Sequence, residues 1–191
     1  MIGVRRARPA DAPEIGAVHV AAWRSAYPGL LPDEYLAGLS APRQAAYYDG
    51  AIRGRGCVLV ATASGIDVPA GSPPRIIGFA TAGPARWTDA TGRRLAEGEI
   101  ETLYLLDDWR DRGIGRRLLR ASAAALSEQG CRNVFLWVLR DNPSRWFYEH
   151  LGGRRVAEAT VRVGGRTVSQ TAFMWDPIDR LLEESTRASQ G

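Results

Sequence analysis

Two glycines stand one residue apart at the start of a helical pattern in the segment WRDRGIGRRLL, residues 109–119. A helix N-terminus presents unpaired backbone N–H groups and the positive end of the helix dipole. Glycine lets a ligand approach the backbone closely, and arginines flank both Gly113 and Gly115. These features predict a site for a phosphate or pyrophosphate group.

Three phosphate-binding patterns can be compared with this loop. A dinucleotide-binding fingerprint needs a third glycine where Leu118 stands, and the acidic residue that should follow is missing. A P-loop ends in a lysine followed by serine or threonine, and the chain contains no lysine. A pyrophosphate loop of the form R-x-x-G-x-G fits Arg110, Gly113 and Gly115. A glycine turn before a helix with a solvated arginine face fits as well, and the loop alone leaves both interpretations open.

The predicted strand before the loop, in the segment EGEIETLYLL, begins with glutamates and ends with apolar residues. Glu99 and Glu101 are two residues apart, which puts their side chains on one face of the strand. Leu103 and Leu105 continue the same spacing. We therefore expect a line of side chains, acidic first and apolar later, that points one way.

Apolar periodicity and turn residues predict the elements that carry these groups. Strands are predicted over residues 4–8, 57–62, 75–83, 97–106, 133–139, 154–163 and 166–175. Helices are predicted over about 12–27, 33–39, 42–52, 113–128 and 142–152. Asp11 and Asn142 are the predicted helix caps, with Pro143 at the first helical position, and Gly164–Gly165 predicts a tight hairpin turn. This mixed order favours one α/β sheet with helices on both faces.

Composition limits the possible classes of protein. The 191 residues are 45% hydrophobic and 24% charged, typical of a soluble domain with an apolar core. We find neither a long apolar run nor a secretory signal, so we expect no membrane association. Cys57 and Cys131 lack paired spacing, which favours reduced thiols, a cytoplasmic location and no metal site. The net charge is only +4 and the arginines concentrate at one helix start, so we expect no nucleic-acid partner.

Three segments resemble the GNAT superfamily of acetyl-CoA-dependent N-acyltransferases. EIETLYLLDDWRDRGIGRRLL is similar to the family's strand, turn and pyrophosphate loop, and DNPSRWFYEHLGG to its next signature, N-x-x-x-x-F-Y-E-x-x-G. HVAAWRSAYPGLLPDEYL is similar to the acceptor-side helices of many members. Two positions depart from the pattern: Gly152–Gly153 replaces Gly-Phe, and Asp107–Asp108 stands where an apolar residue and proline are common.

The resemblance implies a single mixed, mostly antiparallel sheet with helices on both faces. The corresponding domain is residues 1–176, followed by a tail, 177–191, that is partly helical and then frayed. Acetyl-CoA is the implied co-substrate. The resemblance implies that it is bound by Leu103, Tyr104, Leu105, Arg110, Arg112, Gly113, Ile114, Gly115, Arg116 and Asn142. Neighbouring helical residues point in different directions, so Arg116 and Arg117 are not expected to face the ligand together. Asn142 has a second interpretation as a helix cap alone.

The resemblance also implies a mechanism of amide formation. Glu99 or Glu101 would take the proton of the attacking amine, and loop length favours Glu99; each has the alternative of a solvent-facing acidic strand end. A backbone N–H near Leu105 would stabilise the oxyanion. Tyr148 would protonate the departing thiolate, with core packing as its alternative. Neither cysteine has a neighbouring histidine, so we expect direct transfer in a ternary complex.

Four aromatic residues form a candidate pocket for the acceptor. Trp23, Tyr27, Tyr35 and Trp87 are candidate pocket residues, suited to a cationic or ring-bearing amine, with core packing as the alternative. We expect a small-molecule amine or a peptide as acceptor, and a monomer or homodimer. The rival hypothesis is a non-catalytic acyl-CoA-binding or sensor module on the same fold.

Overall fold

The apolar runs CVLVAT and RIIGFATAG form two neighbouring strands whose side chains are buried on both faces of a sheet. The structure, a computed structural model, describes residues 1–54, 56–69, 71–86 and 94–187. Its seven strands lie in the order β1-β2-β3-β4-β5-β7-β6. They are β1 Ile2–Arg6, β2 Cys57–Ala63, β3 Arg75–Pro84, β4 Gly98–Leu105, β5 Val134–Leu139, β6 Arg154–Val163 and β7 Arg166–Trp175.

All neighbouring strands are antiparallel except β4 and β5, which pair in parallel. The predicted mixed, mostly antiparallel sheet is therefore confirmed. The hairpin β6–β7 turns at Gly164 and Gly165, whose φ angles are +56° and +81°. Positive φ at both central residues is the conformation that matches strand twist in a two-residue turn, and it favours glycine.

Helices lie on both faces of the sheet, as predicted, and the described residues form six of them. They are α1 Ala12–Ala26, α2 Asp33–Ala37, α3 Ala41–Arg53, α4 Ile114–Glu128, α5 Arg145–His150 and α6 Asp179–Arg187. Apolar residues of α1 and α3 pack on one face with Val58, Val60 and Phe79. Helix α4 packs on the other face with residues of β2 to β5, joined by Ile178 and Leu181 at α6. In the described ranges, no helix combines the length and the apolar character needed to cross a bilayer.

Several predicted boundaries were wrong. The first strand begins at Ile2 rather than at residue 4, and α5 begins at Arg145 rather than at the 142–143 position. Asp11 makes no side-chain cap on α1. Its carboxylate instead accepts a hydrogen bond from the Arg8 N–H at 2.7 Å and forms a bidentate pair with Arg5. The predicted tail is helical in α6, and residues 188–191 lie outside the described residues.

Gly16 allows α1 and α3 to come into backbone contact. A Cβ added at Gly16 would lie 2.4 Å from the Ala41 carbonyl oxygen and 2.7 Å from the Ala45 nitrogen. Both are backbone atoms, so neither can move aside as a flexible side chain could. The two helices depend on this close approach to cover the same face of the sheet.

We predict that Gly16→Ala lowers the free energy of unfolding by about 2 kcal/mol or more, because the added methyl overpacks the helix contact. Gly50→Ala, inside α3 with no atom near the added Cβ, should stabilise by about 0.5–1 kcal/mol. Urea unfolding followed by circular dichroism measures both. Equal effects at the two positions would contradict the proposed helix contact.

Candidate active site

Strands β4 and β5 separate after two residue pairs, and a cleft opens between them. Gly98 pairs with Val134 and Glu99 with Phe135, but β4 continues to Leu105 without β5 as partner. The Leu106 N–H donates to the Ile77 carbonyl of β3 at 2.9 Å. Because backbone groups alternate sides along a strand, those of Leu103 and Leu105 point the other way, into the cleft.

The cleft continues into a cavity of about 640 Å³. Its wall includes most of the predicted site residues: Trp23, Tyr27, Glu101, Leu103, Tyr104, Leu105, Arg110, Gly113, Ile114, Gly115, Arg116, Asn142 and Tyr148. The volume is in the range of small-molecule sites. Residues from the separated strands, the glycine loop and α5 therefore share one space.

The glycine loop ends at an uncapped helix N-terminus. Gly113 occupies the N-cap position of α4 with a φ of +71°, and none of the described side chains caps the helix. Asp111 also has a positive φ, +59°, which is uncommon for a non-glycine residue. The N–H groups of the first turn, from Ile114 to Arg116, therefore have no intrahelical partner. This is the arrangement that binds anions at helix termini.

The arginines of the loop face different surroundings. Arg116 lines the cavity, and its buried Nε donates to none of the described residues. Arg110 also lines the cavity and forms an ion pair with Asp107 at 2.7 Å. Arg112 is exposed and lies 4.9 Å from the ring centroid of Trp109. Arg117 donates to the Ile2 carbonyl at 3.1 Å, so of the two adjacent arginines Arg116 is the one at the cavity.

The contacts of Asp107 explain why it differs from the apolar residue that is common at this position in the GNAT pattern. Its carboxylate accepts a hydrogen bond from the Ser25 hydroxyl of α1 and also binds Arg110. An apolar residue at this position could do neither. Asp107 therefore ties the end of α1 to the loop that precedes α4.

Tyr148 lies in α5 and is 8% exposed. Its ring packs against Phe147, Phe173 and Trp175 at centroid distances of 5.4, 6.0 and 6.5 Å. Burial raises the pKa of the Tyr148 hydroxyl above its usual value, and nearby Tyr27 raises that pKa further. The hydroxyl therefore keeps its proton at neutral pH and is available as a donor.

Asn142 caps a turn rather than α5. Its Oδ1 accepts a hydrogen bond from the Ser144 N–H at 2.9 Å, and α5 begins one residue later. The side chain is buried and lines the cavity. Asn142 can therefore act both as a cap and as a ligand contact in the cavity, although it caps a turn and not the helix that was predicted.

Trp175 explains why Gly153 stands where the GNAT pattern has phenylalanine. A Cβ added at Gly153 would lie 2.8 Å from the Trp175 ring and 2.9 Å from the Tyr148 carbonyl oxygen. Trp175 also donates from Nε1 to the Leu151 carbonyl at 2.6 Å. The indole of β7 thus occupies the space beside α5, and a phenylalanine at 153 would have no room for its Cβ.

A β-bulge at Glu101 changes the expected line of side chains. The β3–β4 register shifts between Thr81 and Ala82. Thr81 pairs with Thr102 and Ala82 with Ile100, so Glu101 is an extra residue between them. Leu103 and Leu105 pack in the core beneath α4, whereas Tyr104 packs on the α1 face. The prediction that the leucines continue the glutamate line was wrong, because the bulge reverses the alternation.

The two glutamates are both held by Arg86, but only one reaches the cavity. Glu101 forms an ion pair with the Arg86 guanidinium and accepts a hydrogen bond from the Thr81 hydroxyl at 3.2 Å. Glu99 accepts from the Arg86 N–H at 3.2 Å. Glu101 lines the cavity, and Glu99 is not among its described lining residues.

The predicted acceptor residues fall into three groups. Trp23 and Tyr27 line the cavity. Tyr35 is not part of the described lining; it packs on Trp23, 6.2 Å between ring centroids, and on the hairpin turn at Gly164. Trp87 lies outside the described residues. Sequence reasoning missed several lining residues, among them Leu31, Trp137, Val161, Val163 and Gln170.

Neither cysteine lines the described cavity. Cys57 is buried in β2, and burial raises the pKa of its thiol. Burial also raises the pKa of the Cys131 thiol. A raised pKa disfavours the thiolate, which is the nucleophilic form.

An aromatic cluster supports the cavity wall from behind. The His19 ring stacks on Trp23 at 5.2 Å and lies edge-on to Tyr104 at the same distance. Its Nδ1 is 2.8 Å from the Tyr48 hydroxyl. His19 is buried, and this burial lowers its pKa to about 4.

Comparison with known proteins identifies the family. Residues 21–153 match the acetyltransferase (GNAT) family. The chain therefore belongs to the GNAT family of acetyltransferases, which confirms the predicted family and enzyme class. YuaI of Bacillus subtilis, named as an uncharacterized N-acetyltransferase, is 30% identical over 181 residues, 95% of this chain and 96% of YuaI.

Solved structures of low sequence identity share the fold. A GCN5-related N-acetyltransferase from Rhodopseudomonas palustris has a TM-score of 0.67 at 19% identity, over 91% of this chain and 94% of that one. The PaiA N-acetyltransferase of Thermoplasma acidophilum, in complex with coenzyme A, has a TM-score of 0.63 at 17% identity, and the match covers 92% of this chain and 99% of PaiA. YncA of Salmonella typhimurium, with its cofactor acetyl-CoA, has a TM-score of 0.63 at 18% identity, and the match covers 92% of this chain and 93% of YncA.

We predict that His19 makes the protein less stable as the pH falls from about 6.5 to about 4. The unfolded histidine binds a proton in this window while the folded one does not, so protonation favours unfolding. The difference corresponds to about 3 kcal/mol across the window. Above pH 6.5 both states are neutral and the effect vanishes.

Urea unfolding at a series of pH values tests this effect. His19→Phe should flatten the stability curve relative to the wild type between these pH limits. His150→Gln, at the exposed second histidine, serves as the matched control and should keep the wild-type slope. A His19→Phe curve parallel to the wild type would contradict the assignment.

Proposed function

We propose that this protein transfers an acetyl group from acetyl-CoA to a primary amine by direct attack in a ternary complex. The observation that carries the proposal is the junction of three features in one cavity. The unpaired edge of β4, the uncapped start of α4 and the buried Tyr148 hydroxyl all line it. Each suits a different part of an acyl-CoA: the pantetheine amides, the pyrophosphate and the thioester sulfur.

The donor is held mainly by backbone groups. The N–H groups of Ile114, Gly115 and Arg116 bind the pyrophosphate, and the Arg110 and Arg116 side chains add charge. The cleft-facing backbone of Leu103 and Leu105 pairs with the pantetheine arm as an added strand would. Asn142 is buried beside the same space and can hydrogen-bond that arm.

The chemistry requires proton removal at one end and proton supply at the other. Glu101 takes the proton of the attacking amine, since it is the glutamate on the cavity wall. The Leu105 N–H points into the cleft and stabilises the oxyanion. Tyr148 gives its proton to the departing CoA sulfur. Direct attack is supported by the position of both cysteines away from the described cavity lining.

We predict that Tyr148→Phe lowers kcat by about 10²–10⁴-fold, the usual contribution of a general acid. The dissociation constant for acetyl-CoA should change little, because the hydroxyl acts after binding. Thiol release measures turnover and calorimetry measures binding. Acetyl-CoA binding by the wild type without thiol release for any amine would favour the sensor hypothesis instead.

We predict that Glu101→Gln removes the acidic limb of the pH–rate profile and lowers kcat/KM by about 10²-fold or more. Glu99→Gln is the matched control, because Glu99 also contacts Arg86 but is absent from the described cavity wall. Its profile should resemble that of the wild type. An unchanged profile in Glu101→Gln would overturn the assignment of the base.

A further inference from the structure

The cavity has an apolar wall on the sheet face that α1 covers. Four segments build this wall: α1, the residue Leu31 after it, β5 and the hairpin strand β6. The apolar wall consists of Trp23, Tyr27, Leu31, Trp137, Val161 and Val163. Trp137 lies two residues beyond Phe135, the pairing partner of Glu99, so it stands across the cleft from Glu101.

This wall offers little charge to an acceptor. Glu101 is the carboxylate beside it among the described lining residues, and its charge is paired with Arg86. Asp111, the other described acidic lining residue, belongs to the loop before α4. A polyamine needs several carboxylates to replace the water around its ammonium groups. A single amine on an apolar body does not.

The end of the wall is fixed by contact between Tyr35 and Gly164. A Cβ added at Gly164 would lie 2.6 Å from the Tyr35 Cγ, so the ring rests directly on the turn. Tyr35 in turn packs on Trp23. This chain of contacts holds the tip of the β6–β7 hairpin, and with it Val163, against the helices of the other half of the sheet.

From these observations we infer that the acceptor is a primary monoamine with an apolar, ring-bearing body, selected by the wall that Tyr35 and Gly164 hold in place. The inference rests on the proposed function. The amine nitrogen forms the new C–N bond as the thioester C–S bond breaks. One amine proton passes to Glu101, and the Tyr148 proton passes to the sulfur, so that the products are an amide and CoA thiol.

The first test compares four acceptors by thiol release: 2-phenylethylamine, ethanolamine, spermidine and the tripeptide Leu-Gly-Gly. We expect kcat/KM for 2-phenylethylamine to exceed the others by about tenfold or more, the gain from burying a ring. Calorimetry in the presence of CoA should show the same order of binding. A preference for spermidine, ethanolamine or the tripeptide would overturn the acceptor class while leaving acetyl transfer intact.

The binding measurement separates this inference from the proposed function. If 2-phenylethylamine binds in the presence of CoA but no amine releases thiol, the acceptor class stands and acetyl transfer is wrong. If 2-phenylethylamine fails to bind, the acceptor class is wrong, whatever the other amines do in the transfer assay.

The second test uses two glycines of one turn. Gly164→Ala places a methyl against the Tyr35 ring, whereas Gly165→Ala meets no atom within 4 Å. Both residues have positive φ, so both variants carry similar backbone strain. We expect KM for 2-phenylethylamine to rise about tenfold in Gly164→Ala only, with acetyl-CoA binding unchanged.

Tyr35→Ala provides a second way to remove the contact. It should raise the same KM without adding strain to the turn, and thermal unfolding confirms that each variant is folded. Equal KM values in Gly164→Ala and Gly165→Ala, or an unchanged KM in Tyr35→Ala, would overturn the role of this contact.

Discussion

The separation of β4 from β5 after Glu99 and Phe135 is the constraint on which the site depends. A strand edge inside a protein leaves backbone N–H and C=O groups that must find partners. Here the first turn of α4 and Phe147 of α5 lie beside the end of β4 at Leu105. A Cβ at Gly115 would lie 3.4 Å from Phe147 and 3.5 Å from Leu105, so helix, strand and ring converge at the end of the cleft. The open edge therefore leads directly to the unpaired N–H groups of α4.

Asp107 links the two sides of this site. It joins Ser25, near the end of α1, to Arg110 in the loop before α4. Helix α1 carries Trp23 on the apolar wall of the cavity, and the loop leads into the uncapped N-terminus of α4. One carboxylate therefore connects α1 with the loop before α4. An apolar residue at position 107 would make neither contact.

Local signals predicted the parts of the fold that depend on local chemistry. Gly164–Gly165 predicted the hairpin because only that turn geometry needs two positive φ angles. The α4 helix was predicted because its apolar spacing and glycine-rich start are both local. The bulge at Glu101 was missed, because Glu99, Glu101, Leu103 and Leu105 are evenly spaced in the sequence, which indicates one shared face. It becomes visible only when β3 supplies the register.

Other features depend on contacts between distant residues and could not be predicted from the sequence. Trp175 fills the space beside Gly153 from 22 positions further along the chain. Tyr35 lies in α2, within the predicted helix 33–39, but it packs on Trp23 and on the hairpin turn and is not part of the described cavity lining. Val161 and Val163 alternate in an edge strand like ordinary half-buried residues, and nothing local distinguishes them from core positions.

The pairing of Glu101 with Arg86 bears on how an amine can react at this site. An unpaired carboxylate in an apolar cavity would stabilise the ammonium form of the acceptor and keep its proton in place. Arginine stays charged at any physiological pH, so Arg86 offsets this attraction without itself becoming an acid. The apolar wall meanwhile disfavours the ammonium ion relative to the neutral amine. In the proposed mechanism, Glu101 then accepts a proton from an amine that the apolar wall already favours in its neutral, reactive form.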